Sequence, residues 1–208
     1  MRGSVNTTVR NETGHLLDET VNVLSVESFE HVCKVALEAE GFVVTTNVKF
    51  PVTRQTKKAS RTEFQTHGYE VDLVGARTGA LVLASVKSFF GSHGVSLAGL
   101  EQSGYKLFND LKLRNEVVRV AAERYGYAQD QVDLRLYVGR FAPRSRDGVI
   151  AHLRERGVDI RTPEEVAEFV LRAAESKTYT DDPVITTVKL LKATGHLKPG
   201  DADLRPSH

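Results

Sequence analysis

Apolar residues follow two different periods along the chain, and their alternation predicts the first elements. Between about residues 21 and 40 they recur at helical spacing, and Gly41 follows as the left-handed residue that ends many helices. Residues 42–52 alternate instead and are rich in valine and threonine, which predicts a first strand that ends near Pro51. The chain therefore begins its ordered part with a helix and a strand.

The next segments predict two strands and a long helix. Residues 63–76 fit a second strand, and a turn leads into a third strand over residues 80–89. The third strand is apolar on both faces, which is typical of a central strand covered on both sides. A helical pattern over about residues 97–125 predicts one long helix, which Gly126 ends.

The remaining pattern completes a mixed α/β fold. Residues 132–141 alternate as a fourth strand, and Thr162, Pro163 and Glu165 form a strong helix start with a capping box. The other predicted elements are a helix over 147–156, a strand over 158–161, and helices over 162–176 and 182–195. We expect a mixed central sheet flanked by helices, with a mobile arm (1–20), a core domain (21–161) and a C-terminal helical extension (162–208).

Composition narrows the class of protein. The chain has 208 residues, of which 40% are hydrophobic and 26% charged, so it should fold around one main core. It has no apolar run long enough to cross a bilayer and no secretory signal pattern, which predicts a cytoplasmic protein without a membrane partner. Because Cys33 is the only cysteine, a bound metal would be held mainly by oxygen or imidazole, and oxygen ligands favour Mg²⁺ or Mn²⁺.

Four chemically informative residues occupy strand positions that can meet. In regular strands Glu70 and Asp72 share one face, and so do Ser85 and Lys87 on the next strand. A lysine within an apolar strand needs compensating charge, and Asp72 is the natural source of it. Glu101 follows Lys87 after thirteen residues, where a helix carboxylate can return over the strand ends. The alternative is a buried Asp–Lys pair that only specifies strand register.

These residues, in this order of elements, resemble the PD-(D/E)xK, or restriction-endonuclease-like, nuclease superfamily. The resemblance covers about residues 22–141 and implies a core of helix, three strands, helix and strand. The family places an aspartate on the second strand, as Asp72 here, and Glu/Asp-x-Lys on the third. Ser85 stands where the family has the second acid. The sequence is similar in this to a variant of some type II restriction endonucleases, in which Ser-x-Lys is followed about a dozen residues later by a glutamate.

The resemblance implies a role for each residue. Asp72 and Glu101 would bind the metal, Lys87 would position the attacking water or stabilise negative charge, and Ser85 would contact a metal-bound water. Glu30 on the first helix resembles an additional acid of many members, although an exposed helix glutamate is an equal alternative. Gln102 and Tyr105 resemble a Gln-x-x-x-Tyr motif, but their spacing is one residue short, so we expect only a weak role for them near the site. Glu70 is likewise given only a weak role.

The expected function is hydrolysis of DNA by a magnesium-dependent nuclease. The net charge of +1 does not by itself indicate a polyanionic partner, but Arg54, Lys57, Lys58 and Arg61 lie in one basic stretch that could contact phosphates. An endonuclease on double-stranded DNA is the first hypothesis. A resolvase of branched DNA, an exonuclease, and a catalytically silent DNA-binding or assembly module are alternatives. The C-terminal helices either pack on the core or dock a partner, including a second copy in a homodimer.

Overall fold

The computed structural model describes residues 18–55, 64–101, 105–176 and 180–197. Its centre is a five-stranded mixed sheet flanked by helices, which confirms the predicted α/β class. The strands lie in chain order: β1 to β3 are antiparallel, and β3, β4 and β5 are parallel. Their bounds are β1 Val43–Gln55, β2 Phe64–Arg77, β3 Ala80–Lys87, β4 Val132–Val138 and β5 Val158–Arg161.

The predicted long helix over 97–125 is wrong, because the described residues of this stretch, 97–101 and 105–125, form three helices. The backbone of Asp110 is extended, and its carboxylate accepts the N–H of Leu113 at 3.0 Å, so Asp110 caps a new helix. Apolar periodicity continued across the breaks because all three helices contribute to one core cluster. The helices are α1 Asp18–Ala39, α2 Leu97–Glu101, α3 Lys106–Asn109, α4 Leu111–Tyr125, α5 Arg146–Glu155, α6 Pro163–Ala173 and α7 Pro183–Ala193.

Other boundaries moved for local reasons. Helix α1 begins at Asp18, so it takes up the last residues of the predicted arm. Strand β1 continues past Pro51 to Gln55 because β1 is an edge strand, where a missing N–H removes no bond from the middle of the sheet. The third and fourth strands end earlier than predicted, and Phe89 has a positive φ of 47° just beyond β3. The predicted capping box of α6 is confirmed, with Glu165 accepting the N–H of Thr162 at 2.8 Å.

Apolar clusters cover both faces of the sheet. Leu81 and Leu83 of β3 belong to the cluster that includes buried residues of α3, α4 and α5, hereafter the α4 side. Val82 and Val86 belong to the cluster that includes α1, α6 and α7, hereafter the α1 side. The buried residues of the C-terminal helices are Val166, Val170 and Ile185. These helices therefore pack on the core, which is the first of the two alternatives that the sequence left open. None of the described helices is long and apolar enough to span a membrane.

Strands β1 and β2 extend beyond the rest of the sheet. They stay paired as far as Gln55 and Phe64, whereas the pairing of β2 with β3 stops at Leu73 and Ala84. Residues 48–55 and 64–71 therefore form a two-stranded projection, which we call the hairpin arm. It leaves the sheet at the same end as Lys87, the last residue of β3.

Candidate active site

The centre of the site is an irregularity in β2 at Asp72. The pairing of β1 with β2 passes from Thr46–Leu73 to Val48–Val71 and omits Asn47 and Asp72 between them. Asn47 has a φ of 53°, in the left-handed region that asparagine tolerates better than most residues. Asp72 thus lies in a strand interior without a regular ladder partner on β1.

Burial shows what this irregularity does to the strand. Leu73 packs in the cluster on the α1 side, but Val71 packs in the cluster on the α4 side. Two residues that are two positions apart share a face in a regular strand. The strand therefore rotates at Asp72, as strands do at bulges, and such irregularities re-aim side chains next to functional sites.

The Asp72 carboxylate is fixed by β3 through one of its oxygens. Its Oδ2 atom accepts a hydrogen bond from Ser85 Oγ at 2.9 Å and another from the backbone N–H of Val86 at 2.6 Å. The carboxylate thereby replaces the backbone acceptor that β3 loses where the ladder to β2 ends. Within the described part of the chain, Oδ1 has no hydrogen-bond partner, so Asp72 keeps one oxygen for a ligand.

Lys87 lies at the end of β3, but it does not pair with Asp72 as expected. Its side chain is half-buried, and its carbonyl accepts the N–H of Gly139 at 2.8 Å, which fixes the backbone. Among the described residues Lys87 forms no ion pair. The predicted Asp72–Lys87 pair is absent because Asp72 Oδ2 bonds Ser85 and Val86 instead, and because partial exposure lets water solvate the ammonium group.

Glu30 lies on α1, three residues before the single cysteine. Cys33 is fully buried on α1, and its pKa is raised well above the ordinary value. Burial is the main cause, and the negative charges of Glu30 and Asp72 raise this pKa further. Both carboxylates are thus close enough to one thiol to affect its ionisation. The role of Glu30 at the site stays a prediction.

Glu101 is the last residue of α2 and is exposed. Its side chain forms no hydrogen bond or ion pair with another described residue, and Gln102 lies outside the described residues. Tyr105 is buried in the cluster on the α4 side, and burial raises its pKa to about 12. The structure does not bring Glu101 into contact with Asp72 or Lys87.

Glu70 is directed away from the carboxylate with which it was expected to share a face. It forms an ion pair with Lys49 on β1, with 3.5 Å between Oε2 and Nζ, and both side chains are largely exposed. Asp72 instead contacts β3. Residues two positions apart share a face only in a regular strand, and β2 is not regular at Asp72.

Of the predicted DNA-contacting residues, Arg54 alone lies among the described residues of the hairpin arm. The backbone of Arg54 pairs with Gln65 near the end of the arm. Lys57, Lys58 and Arg61, the other predicted DNA-contacting residues, lie outside the described residues. Their place in the chain, between Gln55 and Phe64, joins the two strands of the arm.

Two features of the site escaped the sequence interpretation. The count of cysteines alone does not place Cys33 at the site, but Cys33 follows Glu30 by three residues and so lies on the same helix face. Asn47 gave a usable signal, because asparagine in the middle of a valine-rich strand indicates a local irregularity. Among the described residues, no group of three or more His, Cys, Asp or Glu side chains is arranged to hold a metal ion.

Comparisons with known proteins give distant structural similarity alone. No protein-family profile matches the chain. No curated protein matches it. A solved structure of protein VC1899 from Vibrio cholerae has a TM-score of 0.43 and 16% identity over 74% of this chain. This chain spans 34% of that protein's length.

A second solved structure, of a protein of unknown function called AF1548, has a TM-score of 0.39 and 16% identity. That likeness covers 80% of this chain and 77% of the other. With TM-scores this low, neither similarity carries an argument about function.

Proposed function

We propose that the chain is a magnesium-dependent DNA nuclease, with Asp72 as the residue that anchors the metal. The observation that carries the proposal is the fixed Asp72 carboxylate at an irregular point of β2. It is hydrogen-bonded to Ser85, which lies two positions before Lys87 on β3. Its hydrogen bonds to β3 occupy only one oxygen of the Asp72 carboxylate, and Lys87 at the end of the same strand forms no ion pair with another described residue, so both groups can contact a ligand. The resemblance to the PD-(D/E)xK superfamily supports the same assignment.

The donor set fits a hard cation in part. Asp72 offers Oδ1, and Mg²⁺ in proteins binds one or two carboxylates and keeps several water ligands. The second carboxylate is proposed to come from Glu101, as the sequence variant implies, or from Glu30, which shares with Asp72 an effect on the Cys33 pKa. Ser85 is held against Asp72 and would orient a metal-bound water through its hydroxyl group.

The chain's own residues would then act on the scissile phosphate as follows. Lys87 donates hydrogen bonds to a non-bridging oxygen or to the attacking water, and stabilises negative charge that develops in the transition state. Ser85 and the N–H of Val86 keep Asp72 in place, so the carboxylate needs no reorganisation during the reaction. A bound divalent ion would supply a more acidic water and charge neutralisation at the phosphate.

The hairpin arm supports DNA as the polymer. It projects from the sheet end that carries Lys87, and the chain segment between its two strands has Lys57, Lys58 and Arg61 in its sequence. Lysine and arginine provide most phosphate contacts, and such contacts position a substrate without reading its sequence. Double-stranded DNA is the first substrate proposed, with branched DNA or DNA ends as alternatives for the same chemistry. A cytoplasmic location and a homodimer are also parts of the proposal.

Incubation of supercoiled plasmid with Mg²⁺ tests the proposal. Wild type should nick or linearise the plasmid, and Asp72→Asn and Lys87→Ala should each slow cleavage by about 100-fold or more, the size of effect seen when one stabilising group is lost. Asp130→Asn and Lys112→Ala change exposed residues of the same types and should cleave like wild type. Cleavage that Asp72→Asn retains would overturn the proposal, and so would DNA binding by wild type without cleavage, which indicates an assembly module.

The second carboxylate is identified by a parallel pair of variants. Glu101→Ala and Glu30→Gln are compared with Glu155→Ala, an exposed glutamate of α5. The variant that loses cleavage and regains part of it at high Mn²⁺ concentration marks the residue that contributes to metal binding. Full activity of Glu101→Ala would reject the role that the sequence variant implies for Glu101.

A further inference from the structure

A small cleft lies between the hairpin arm and the helices on the α4 side. Its volume is about 180 Å³, well below the roughly 300–1,000 Å³ of pockets for drug-sized ligands. The cleft can therefore admit one planar ring system and excludes a duplex. The lining residues are Val52, His67, Gly68, Tyr69, Lys106 and Leu113.

The side chains of the cleft combine an aromatic ring with two basic groups. His67 and Tyr69 are two positions apart on β2, and Tyr69 packs against the cluster on the α4 side, so both face that side. Lys106, at the start of α3, and His67 are both exposed. Neither forms an ion pair with a described carboxylate, so the Lys106 ammonium group and the His67 ring can contact a bound anion.

The position of the cleft relates it to the candidate active site. His67 and Tyr69 precede Asp72 by three to five residues of β2, which is roughly 10–17 Å at about 3.3 Å per residue. Ser85 follows Leu83 by two positions and so projects to the α4 side as well. A nucleic acid strand that reaches Asp72 needs only a few nucleotides, at about 3.4 Å each when stacked, to reach the cleft.

We propose that this cleft binds a single unstacked nucleotide of the substrate strand, a few nucleotides from the phosphate that is cut. The Tyr69 ring stacks on the base, and Lys106 and His67 contact the neighbouring phosphates. The inference rests on the proposed nuclease function and makes the substrate more specific: DNA that already has an unpaired nucleotide near the cut, as at an overhang, a flap or a junction. A fully paired duplex would have to unstack a base first.

Fluorescence anisotropy tests the cleft without requiring cleavage. The probes are a labelled blunt duplex and the same duplex with a short single-stranded overhang, titrated with full-length protein in EDTA. Wild type should bind the overhang probe about tenfold more tightly, which is within the range for stacking of one base on an aromatic residue. Tyr69→Leu and Lys106→Ala should reduce that ratio to about one, while Tyr69→Phe and Lys112→Ala should keep it. Lys112 is an exposed lysine of α4 that does not line the cleft.

Lys106→Ala keeps the test valid if loss of the Tyr69 ring impairs folding. Equal affinity of wild type for both probes would overturn the inference, and so would an unchanged ratio in Lys106→Ala and in folded Tyr69→Leu. The plasmid assay separates this failure from failure of the nuclease proposal. Magnesium-dependent cleavage without overhang preference overturns the cleft alone, and overhang preference without cleavage of any probe overturns the nuclease alone and upholds the cleft.

Discussion

Asp72 Oδ2 lies 2.9 Å from Ser85 Oγ and 2.6 Å from the backbone nitrogen of Val86. One oxygen of the carboxylate therefore joins β2 to β3 at the point where the regular ladder has ended. Asp72 has a structural role and a proposed catalytic role at once, and the two roles need separate measurements.

The structural role predicts different effects for two substitutions of Asp72. Asp72→Ala leaves the Val86 N–H without its acceptor in a half-buried place, which should lower the free energy of unfolding by about 1–3 kcal/mol. Asp72→Asn keeps an oxygen acceptor and should lose less than about 1 kcal/mol. Urea denaturation at pH 7 measures both. Equal destabilisation by the two variants would contradict the hydrogen-bond account.

Lys87 should matter for cleavage far more than for folding. Because it forms no ion pair with a described residue, Lys87→Met removes no strong contact and can bury its chain against the same neighbours. We expect a change in unfolding free energy within about 0.5 kcal/mol, typical of sites away from buried networks. Thermal melts of Lys87→Met and wild type measure this. A loss of more than 2 kcal/mol, on the order of a broken buried pair, would show that Lys87 is a structural residue.

The buried thiol predicts a pH dependence of stability. Burial, Glu30 and Asp72 raise the Cys33 pKa in the folded state, so the unfolded chain releases this proton first, above a pKa of about 8.5. The contribution of the protonated thiol to the free energy of unfolding is therefore fully present below about pH 8.5. It is lost as pH rises towards the pKa that Cys33 has in the folded state. Between about pH 8.5 and 9.5 the loss should be about 1 kcal/mol, before tyrosines contribute.

Comparison with Cys33→Ala isolates the contribution of the thiol. The variant has a different absolute stability because it leaves a small cavity, but its unfolding free energy should be flatter over the same pH range. Denaturation midpoints at several pH values measure the slope. Identical slopes for wild type and Cys33→Ala would refute the raised pKa.

Glu40 connects the end of α1 to the parallel strands through a buried ionic network. Its two oxygens bind Arg135 at 2.7 Å and Arg161 at 3.1 Å, and Glu40 and Arg135 are only 11% and 7% exposed. Glu40→Ala removes a carboxylate partner from both Arg135 and Arg161 and should lower the free energy of unfolding by about 3 kcal/mol. Glu116→Ala breaks a more exposed pair with Arg119 and should cost less than about 1 kcal/mol. Chemical denaturation of the two variants compares them, and equal costs would contradict the buried network.

The sequence predicted the order of elements well because the relevant signals are local. Gly41 and the capping box at Thr162 mark helix ends through backbone geometry that few other residues satisfy. The long helix over 97–125 failed because apolar spacing reports which face is buried and does not report a break at a polar cap such as Asp110. Short helices on a common face preserve the period of a long one.

The candidate site was predicted less completely than the fold. Adjacency of Asp72 and Ser85 followed from strand order, and the structure shows it. The absence of an Asp72–Lys87 pair depends on the hydrogen bonds of Asp72 to Ser85 and Val86, and the separation of Glu70 from Asp72 depends on the rotation of β2 between Leu73 and Val71. Asn47 indicates that the strand is irregular there, but the direction in which each side chain then points arises from tertiary packing, which the alternation of residues does not encode.

Single-turnover cleavage of a DNA duplex with an overhang, measured with excess protein and Mg²⁺, shows whether Asp72 anchors a catalytic metal. Wild type should cleave it, and Asp72→Asn, with its fold confirmed by circular dichroism, should be slower by about 100-fold or more. Cleavage should stop when EDTA removes the metal. Equal rates for wild type and folded Asp72→Asn, or no cleavage by wild type, would contradict the account.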